Sequence, residues 1–429
     1  MKNRKVFAFG MGTANKGEQN QLIGALRAIS ELNNHRFDIG KQVLLPIGVD
    51  NLLEMKDNIS FFQFKNYKKF KEYLYAMLDE YFMKTKNIPQ VFVKVFSHGE
   101  NEKAFVNADM MCKVIKEYYK EKNLGYIFTC VITSRYYKYD FVDLINIPKH
   151  LLNFHSRIRL LQNKEMKKKT LITVGTINDC SKELIEKKYK KLCQNLRKLK
   201  NDKDVKSIIM KLYKFLEDKP HIVFCLGGRV DGTEIRFDVN YVSKIYQEAL
   251  RLKNLGYGIL FVSGPRTPND VCDYLFEKTS SDDEILFCNG KMIAKDNNER
   301  QEKYWRIYSG KYEKAFVKME KIGNVYPGIL NIDNTIVVHT FDSFSGCETT
   351  VAGIPTAISY KGIYINKDIR YDCHNLYKLL TPKYAIDWDE YFKLSVNMKL
   401  EPNSLHPVSL SSSLRVFAEA VRNRLDKIK

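Results

Sequence analysis

The chain has 429 residues, 44% of them hydrophobic, and a formal net charge of +20. That length points to two domains, and that apolar fraction to folded rather than disordered sequence. Nine cysteines without a Cys-x-x-Cys pair point to buried free thiols in a reducing compartment, and indicate neither a zinc site nor a disulfide framework. No stretch approaches the roughly 18 apolar residues of a membrane span, and the N-terminus lacks the apolar core of a signal peptide. A cytoplasmic protein is expected, with a peripheral position at the inner face of a membrane as an option.

In chain order, the first strand is expected at Val6–Phe9, followed by a glycine-bearing loop, Gly10–Gly17, and a helix from Glu18 to Leu32. Leu22, Ala25, Leu26, Ile29 and Leu32 share one face of that helix. Further strands are expected at Val91–Phe96, Tyr126–Val131, Phe141–Ile147 and Leu171–Val174. A basic helical stretch then runs to His221. A second series opens at Ile222–Leu226, continues with a helix at Val239–Lys253, and adds strands at Ile259–Val262, Ile285–Cys288 and Thr335–Val338. The tail Ser413–Lys429 reads as a terminal helix. Short apolar runs alternating with helical patterns define an α/β class. The domain boundary is placed at 215/216.

The charge is uneven. Residues 1–219 hold 42 Lys+Arg against 24 Asp+Glu, residues 220–429 hold 28 against 26, and Leu151–Lys200 alone holds 14 against 4. Such a half suits an anionic membrane surface, a phosphorylated acceptor or nucleic acid, or else a set of solvated lysine-rich helices. It carries no zinc-finger spacing, RNA-binding aromatic signature or basic-leucine pattern, so no nucleic-acid partner is expected.

Four loops that follow strands carry the chemistry. After Thr335–Val338 the chain enters a polar turn, His339-Thr340-Phe341-Asp342-Ser343, with Ser345 and Glu348 beyond it. A Ser/Asp turn between a buried strand and a helix suits phosphates and ribose, although it would equally serve as an ordinary helix cap. Gly227-Gly228-Arg229 offers close-packed N–H groups and a cation for a pyrophosphate, and Ser263-Gly264-Pro265-Arg266-Thr267 places a second arginine after the next strand. The loop from Gly10 to Gly17, including Gly12, lets a ligand approach the backbone closely but is neither a Walker loop nor a GxGxxG fingerprint. His98, after the strand Val91–Phe96, and Glu18 are the candidate general bases, and His150 is a further histidine of the first half. No Asp-x-Asp pair stands in a suitable loop, so no metal is implied.

Together these residues resemble the mitochondrial-fission ELM (elongated mitochondria) family, which looks like a GT-B glycosyltransferase. The resemblance runs through Gly17-Glu18-Gln19-Asn20-Gln21 with Gly24, then Asp143 to Pro148-Lys149-His150, then Thr173-Val174-Gly175-Thr176. It continues through Gly227-Gly228, Ser263 to Arg266-Thr267-Pro268, Asn324 to Gly328, and Asp342-Ser343-Phe344-Ser345 with Glu348 and Gly353-Ile354-Pro355. Here the interval from Asp342 to Glu348 is six, where the family pattern has seven, and Pro265 replaces a polar or basic residue.

The resemblance implies two Rossmann-like domains facing a cleft. An acceptor-side domain at 1–215 would use Gly12, Gly17, Gln21 and His150. A nucleotide-sugar domain at 216–405 would follow, and a helix at 406–429 would cross back to the first domain. On this reading Gly228, Arg229, Arg266, Ser343 and Ser345 hold the diphosphate of a nucleotide sugar, Glu348 holds the ribose, and Gly227, Thr267 and Asp342 complete the donor site. Glu18 or His98 activates a hydroxyl of an envelope lipid or glycan. The nucleotide sugar is a substrate, and no cofactor or metal is expected. Two other readings stand beside it: a non-catalytic membrane-associated scaffold, and a nucleotide-sugar epimerase.

Overall fold

A computed structural model describes, in the first part of the chain, residues 6–12, 16–31, 44–46, 66–84, 88–95, 108–133, 139–152, 154–173 and 175–178. Beyond these it describes 180, 182–199, 212, 215, 220–227, 237–264, 267–279, 282, 284–289, 304–309, 312–318, 328–330, 334–341, 346, 348–349, 354, 356–358, 385–387 and 411–428. The chain divides into two compact units, one formed by 1–179 with 409–429 and the other by 180–408.

The first unit is built on β1 (Ala8–Gly12), α1 (Lys16–Glu31), β2 (Leu44–Pro46), α2 (Tyr67–Lys84), β3 (Val91–Val95), α3 (Ala108–Glu121), β4 (Phe128–Ile132) and β5 (Leu144–Pro148). A 3-10 turn at Lys149–Leu151 leads into α4 (Phe154–Gln162), α5 (Lys164–Lys169) and β6 (Thr170–Thr173). All six strands are parallel, in the order β2-β1-β3-β4-β5-β6. Residues along a strand alternate between faces, and β3 shows why it reads as a continuous apolar run. Val91, Val93 and Val95 pack with Leu22, Ala25, Leu26 and Ile29 of α1. Phe92 packs on the opposite face with residues of α2 and α3, among them Phe70, Leu74, Ile115 and Tyr119. Helices on both faces leave a parallel strand no solvated side.

The last helix, α9 (Ser411–Leu425), belongs to this unit and not to the one that precedes it in sequence. Its Phe417 and Val421 are fully buried in the same cluster as α1 and the valines of β3. Arg424 fixes its far end: Nη1 donates to Asp143 O at 2.9 Å and Lys169 O at 3.3 Å, and Nη2 to Lys168 O at 2.6 Å. These carbonyls flank the starts of β5 and β6, so one guanidinium caps backbone groups that begin two neighbouring strands.

The second unit comprises α6 (Lys182–Leu199), β7 (His221–Cys225), α7 (Val239–Asn254), β8 (Gly258–Ser263), α8 (Asn269–Thr279) and β9 (Ile285–Asn289). It continues with the hairpin β10 (Tyr304–Ser309) and β11 (Tyr312–Lys318), then β12 (Thr335–Thr340), β13 (Thr356–Ile358) and β14 (Ala385–Asp387). Its eight strands run β11-β10-β9-β8-β7-β12-β13-β14. Only β10 pairs antiparallel, with β9 and β11; the other pairs are parallel. Asp238 caps α7 by accepting from Tyr241 N at 2.9 Å, which satisfies one of the free N–H groups of the first turn. Two Rossmann-like α/β units therefore make up the chain.

Three expectations need correction. The boundary lies at 179/180 rather than 215/216, because α6 belongs to the second core: Ile185, Leu192 and Leu196 pack with Val223, Leu260 and Leu286 of that sheet. The strand expected to stop at Val338 continues to Thr340, since His339 and Thr340 pair with Phe224 and Cys225 on β7 and with Ala357 and Ile358 on β13. The supposed polar turn therefore begins with three fully buried residues, His339, Thr340 and Phe341. The seven described cysteines are all buried and free. No helix among the described residues is long and apolar enough to cross a membrane.

Candidate functional site

Strand order locates the candidate sites. In an open parallel sheet, ligands bind at the carboxyl edge where the winding direction reverses. In the first unit the chain leaves β1 toward β2 and returns to β3 on the other side, so the reversal lies between the ends of β1 and β3. Gly12 ends β1, and Gly17 and Glu18 stand in the first turn of α1, with Gln21 one turn further on and only 5% exposed. His98, three residues after β3 in sequence, lies outside the described residues, as does the side chain of Glu18.

One charged residue at this reversal escaped the sequence reading. Lys94, 1% exposed, sits one residue from the end of β3, in register with Met11 on β1 and Val131 on β4. Its signal was available: it is the lone charge in Val91-Phe92-Val93-Lys94-Val95-Phe96, inside a strand buried on both faces.

In the second unit the reversal lies between β7 and β12. Three loops meet there. Gly227, two residues past β7, lies so close to Phe341, the residue after β12, that a Cβ on it would stand 3.2 Å from Phe341 Cβ. The loop after β8 is tied to Gly227 by Thr267, 1% exposed, whose Oγ1 donates to Gly227 O at 2.8 Å and accepts from Gly264 N at 2.9 Å. Thr267, expected in the donor site, thus commits its hydroxyl to clasping two loops forty residues apart in sequence.

Beneath the clasp lies an aromatic floor. Phe341 packs on His339 with centroids 4.3 Å apart and on Phe237 at 5.4 Å, and His339 meets Phe224 edge-on at 5.3 Å. Gly228, Arg229, Arg266, Asp342, Ser343 and Ser345 lie outside the described residues. Each is joined in sequence to a described anchor: Arg229 follows Gly227 by two residues, Arg266 precedes Thr267, and Asp342 follows Phe341.

Glu348 stands beyond β12 on a helical turn and is 6% exposed. That turn is held by Thr349, whose Oγ1 donates to Gly346 O at 3.2 Å and receives Thr356 Oγ1 from β13 at 2.7 Å. A nearly buried carboxylate between β12 and β13 in the chain is of a kind that accepts from hydroxyl groups. Among the described residues no group of three or more His, Cys, Asp or Glu is placed to hold a metal ion.

Two histidines fix the acid limit of the fold. Burial pushes His150, 2% exposed in the turn after β5, down to about 3, and His339 well below the usual imidazole range. Both rings are thus neutral in the folded chain, whereas in the unfolded chain they take up protons near pH 6.5. Between pH 6.5 and about 3 the unfolded state binds more protons at His150, so stability falls as pH falls, by up to about 1.4 kcal/mol per pH unit, and His339 acts in the same direction. Melting curves should show a decline beginning below pH 6.5, and His150→Gln should make it shallower. A profile that stays flat to pH 4.5 would contradict this.

No family model and no curated protein matches the chain. Solved structures with a similar course include a UDP-GlcNAc 2-epimerase from Methanocaldococcus jannaschii, 12% identical over 97% of this chain and 99% of that one, at a TM-score of 0.48. They also include a glycosyl transferase of family 9 from Veillonella parvula, 11% identical over 98% of each chain at 0.38. A third is the ADP-heptose heptosyltransferase II of E. coli, 11% identical over 100% of each at 0.38. Nothing in these comparisons supports membership of the ELM family. The fold assignment rests on the strand orders above, and no residue or substrate is carried over from these proteins.

Proposed function

We propose that the chain is a GT-B-type enzyme acting on a nucleotide-diphosphate sugar, held by the second unit, and that it transfers the sugar to a hydroxyl of a lipid or glycan acceptor. The observation that supports this reading is the clasp of Gly227, Thr267 and Phe341. It gathers the loops after β7, β8 and β12 at the reversal point of one sheet. Those loops carry glycines, two arginines and a Ser/Asp turn in sequence, the groups that neutralise and orient a diphosphate. Departure of the nucleoside diphosphate builds negative charge on its terminal phosphate, and fixed N–H groups and arginines stabilise that charge without reorganising. Glu18 or His98, which follow β1 and β3 in sequence, would take the acceptor's proton.

Calorimetric titration with nucleoside diphosphates tests the reading, and the expected result is saturable binding of at least one of them. If none binds, the enzyme reading gives way to a scaffold. Incubating the nucleotide sugar without acceptor then separates transfer from epimerisation, which would isomerise the sugar unaided.

The clasp makes its own prediction. Thr267→Val keeps the shape but strips Gly227 O and Gly264 N–H of their partner, costing about 2 kcal/mol in unfolding free energy. It should also weaken diphosphate binding about tenfold by loosening the two loops. Thr267→Ser, which retains the hydroxyl, should restore most of both in denaturation and calorimetry.

A further inference from the structure

Helix α6 is amphipathic in an unusual way. It buries Ile185, Leu192, Cys193 and Leu196, and turns Lys187, Lys188, Lys190, Lys191 and Lys198 outward. From Lys187 to Lys198 the sequence has six basic residues and no acid. None of the five lysines is ion-paired among the described residues. Four lysines elsewhere, Lys71, Lys116, Lys122 and Lys253, by contrast meet carboxylates at 2.6–3.1 Å. Like charges three and four residues apart on a helix repel one another, and past Glu186, which stands four residues before Lys190, α6 concentrates positive charge with no acidic residue up to its end.

We propose that the outward face of α6 docks on an anionic lipid bilayer surface. Lysines are mobile point charges, suited to headgroups that demand only a sustained positive potential within a Debye length. Reading nucleic acid calls for stacking aromatics or arginine forks, and this face offers one arginine and no exposed aromatic ring. Among the described residues it also has no exposed large apolar side chain, so attachment is by charge alone, without insertion, and is reversed by salt. The surface lies on the unit that carries the candidate diphosphate site, but the inference does not depend on that site's function.

Co-sedimentation of the full chain with phosphatidylcholine vesicles, with and without phosphatidylserine, tests it. Binding is expected only to the phosphatidylserine vesicles, and should be lost at high salt. The triple variant K187E/K191E/K198E should lose about tenfold or more in partitioning, with its melting temperature unchanged because all three side chains are exposed. A matched variant of the first unit, K164E/K167E/K168E, should bind as the unaltered chain does. Equal binding to both vesicle types, no loss in the α6 variant, loss only in the matched variant, or binding of single-stranded DNA in place of vesicles would each overturn the proposal.

Discussion

Phe341→Ala should destabilise the second unit by about 4 kcal/mol, the range for emptying a buried aromatic site. Phe341 is fully buried at the end of β12 and contacts His339, Phe237 and Tyr241. The cavity could not close easily, because β12 and the start of α7 hold those neighbours. Phe341 also forms the surface on which Gly227 rests, so the loss should reach the candidate site. Folded Phe341→Ala should bind nucleoside diphosphates more weakly than the unaltered chain, and Phe341→Leu should recover part of both properties. Urea unfolding and calorimetry measure the two effects separately. A stability change below about 1 kcal/mol would mean that the aromatic floor is not packed as described.

Gly10→Ala is expected to cost about 3 kcal/mol, at the upper end for overpacking. Gly10 lies in the middle of β1 on the side facing α1, where a Cβ would overlap the side chain of Leu22 and stand 2.7 Å from Val93 O. The leucine can shift; the carbonyl, held in the sheet between β1 and β3, cannot. This glycine is required for close approach of helix to strand rather than for an unusual backbone angle. Chemical denaturation should show the loss, and Leu22→Ala in the same chain should relieve only the part due to the side chain. Gly10 to Gly12, expected in a loop, thus belong to β1, and an alanine tolerated without cost at Gly10 would remove this packing argument.

The strands buried on both faces were legible in the sequence, because a parallel strand covered by helices is apolar throughout. Val91–Val95, His221–Cys225, Gly258–Ser263 and Ile285–Asn289 all fall within two residues of their expected places. Helices α2 and α3 were not read. Their faces carry tyrosines whose hydroxyls are satisfied by carboxylates, as in Tyr67 with Glu117 and Tyr118 with Asp79, which masks the apolar stripe. The hairpin β10–β11 and the short strands β2, β13 and β14 also went unread; three residues carry too little pattern to stand out.

The unit boundary was misplaced for a different reason. Charge composition changes near residue 219, while packing changes at 180, and packing decides where a fold divides. The convergence of the loops after β7, β8 and β12 followed from strand alternation alone. The clasp by Thr267 did not, since the partner carbonyl lies forty residues away in sequence. Nor did the strand character of His339 and Thr340, which comes from pairing with β7 and β13 and not from their own polarity.

Because α9 returns to the first unit, the sheet of that unit is finished by a helix made only after the whole second unit. During synthesis, the apolar side of α1 and the neighbouring β6 that α9 covers stay open while the entire second unit is translated, at roughly 5–20 residues per second. Until Phe417 and Val421 leave the ribosome, that side is greasy surface available to chaperones. A nascent chain halted before residue 409 would therefore carry a complete second unit beside an unsealed first one.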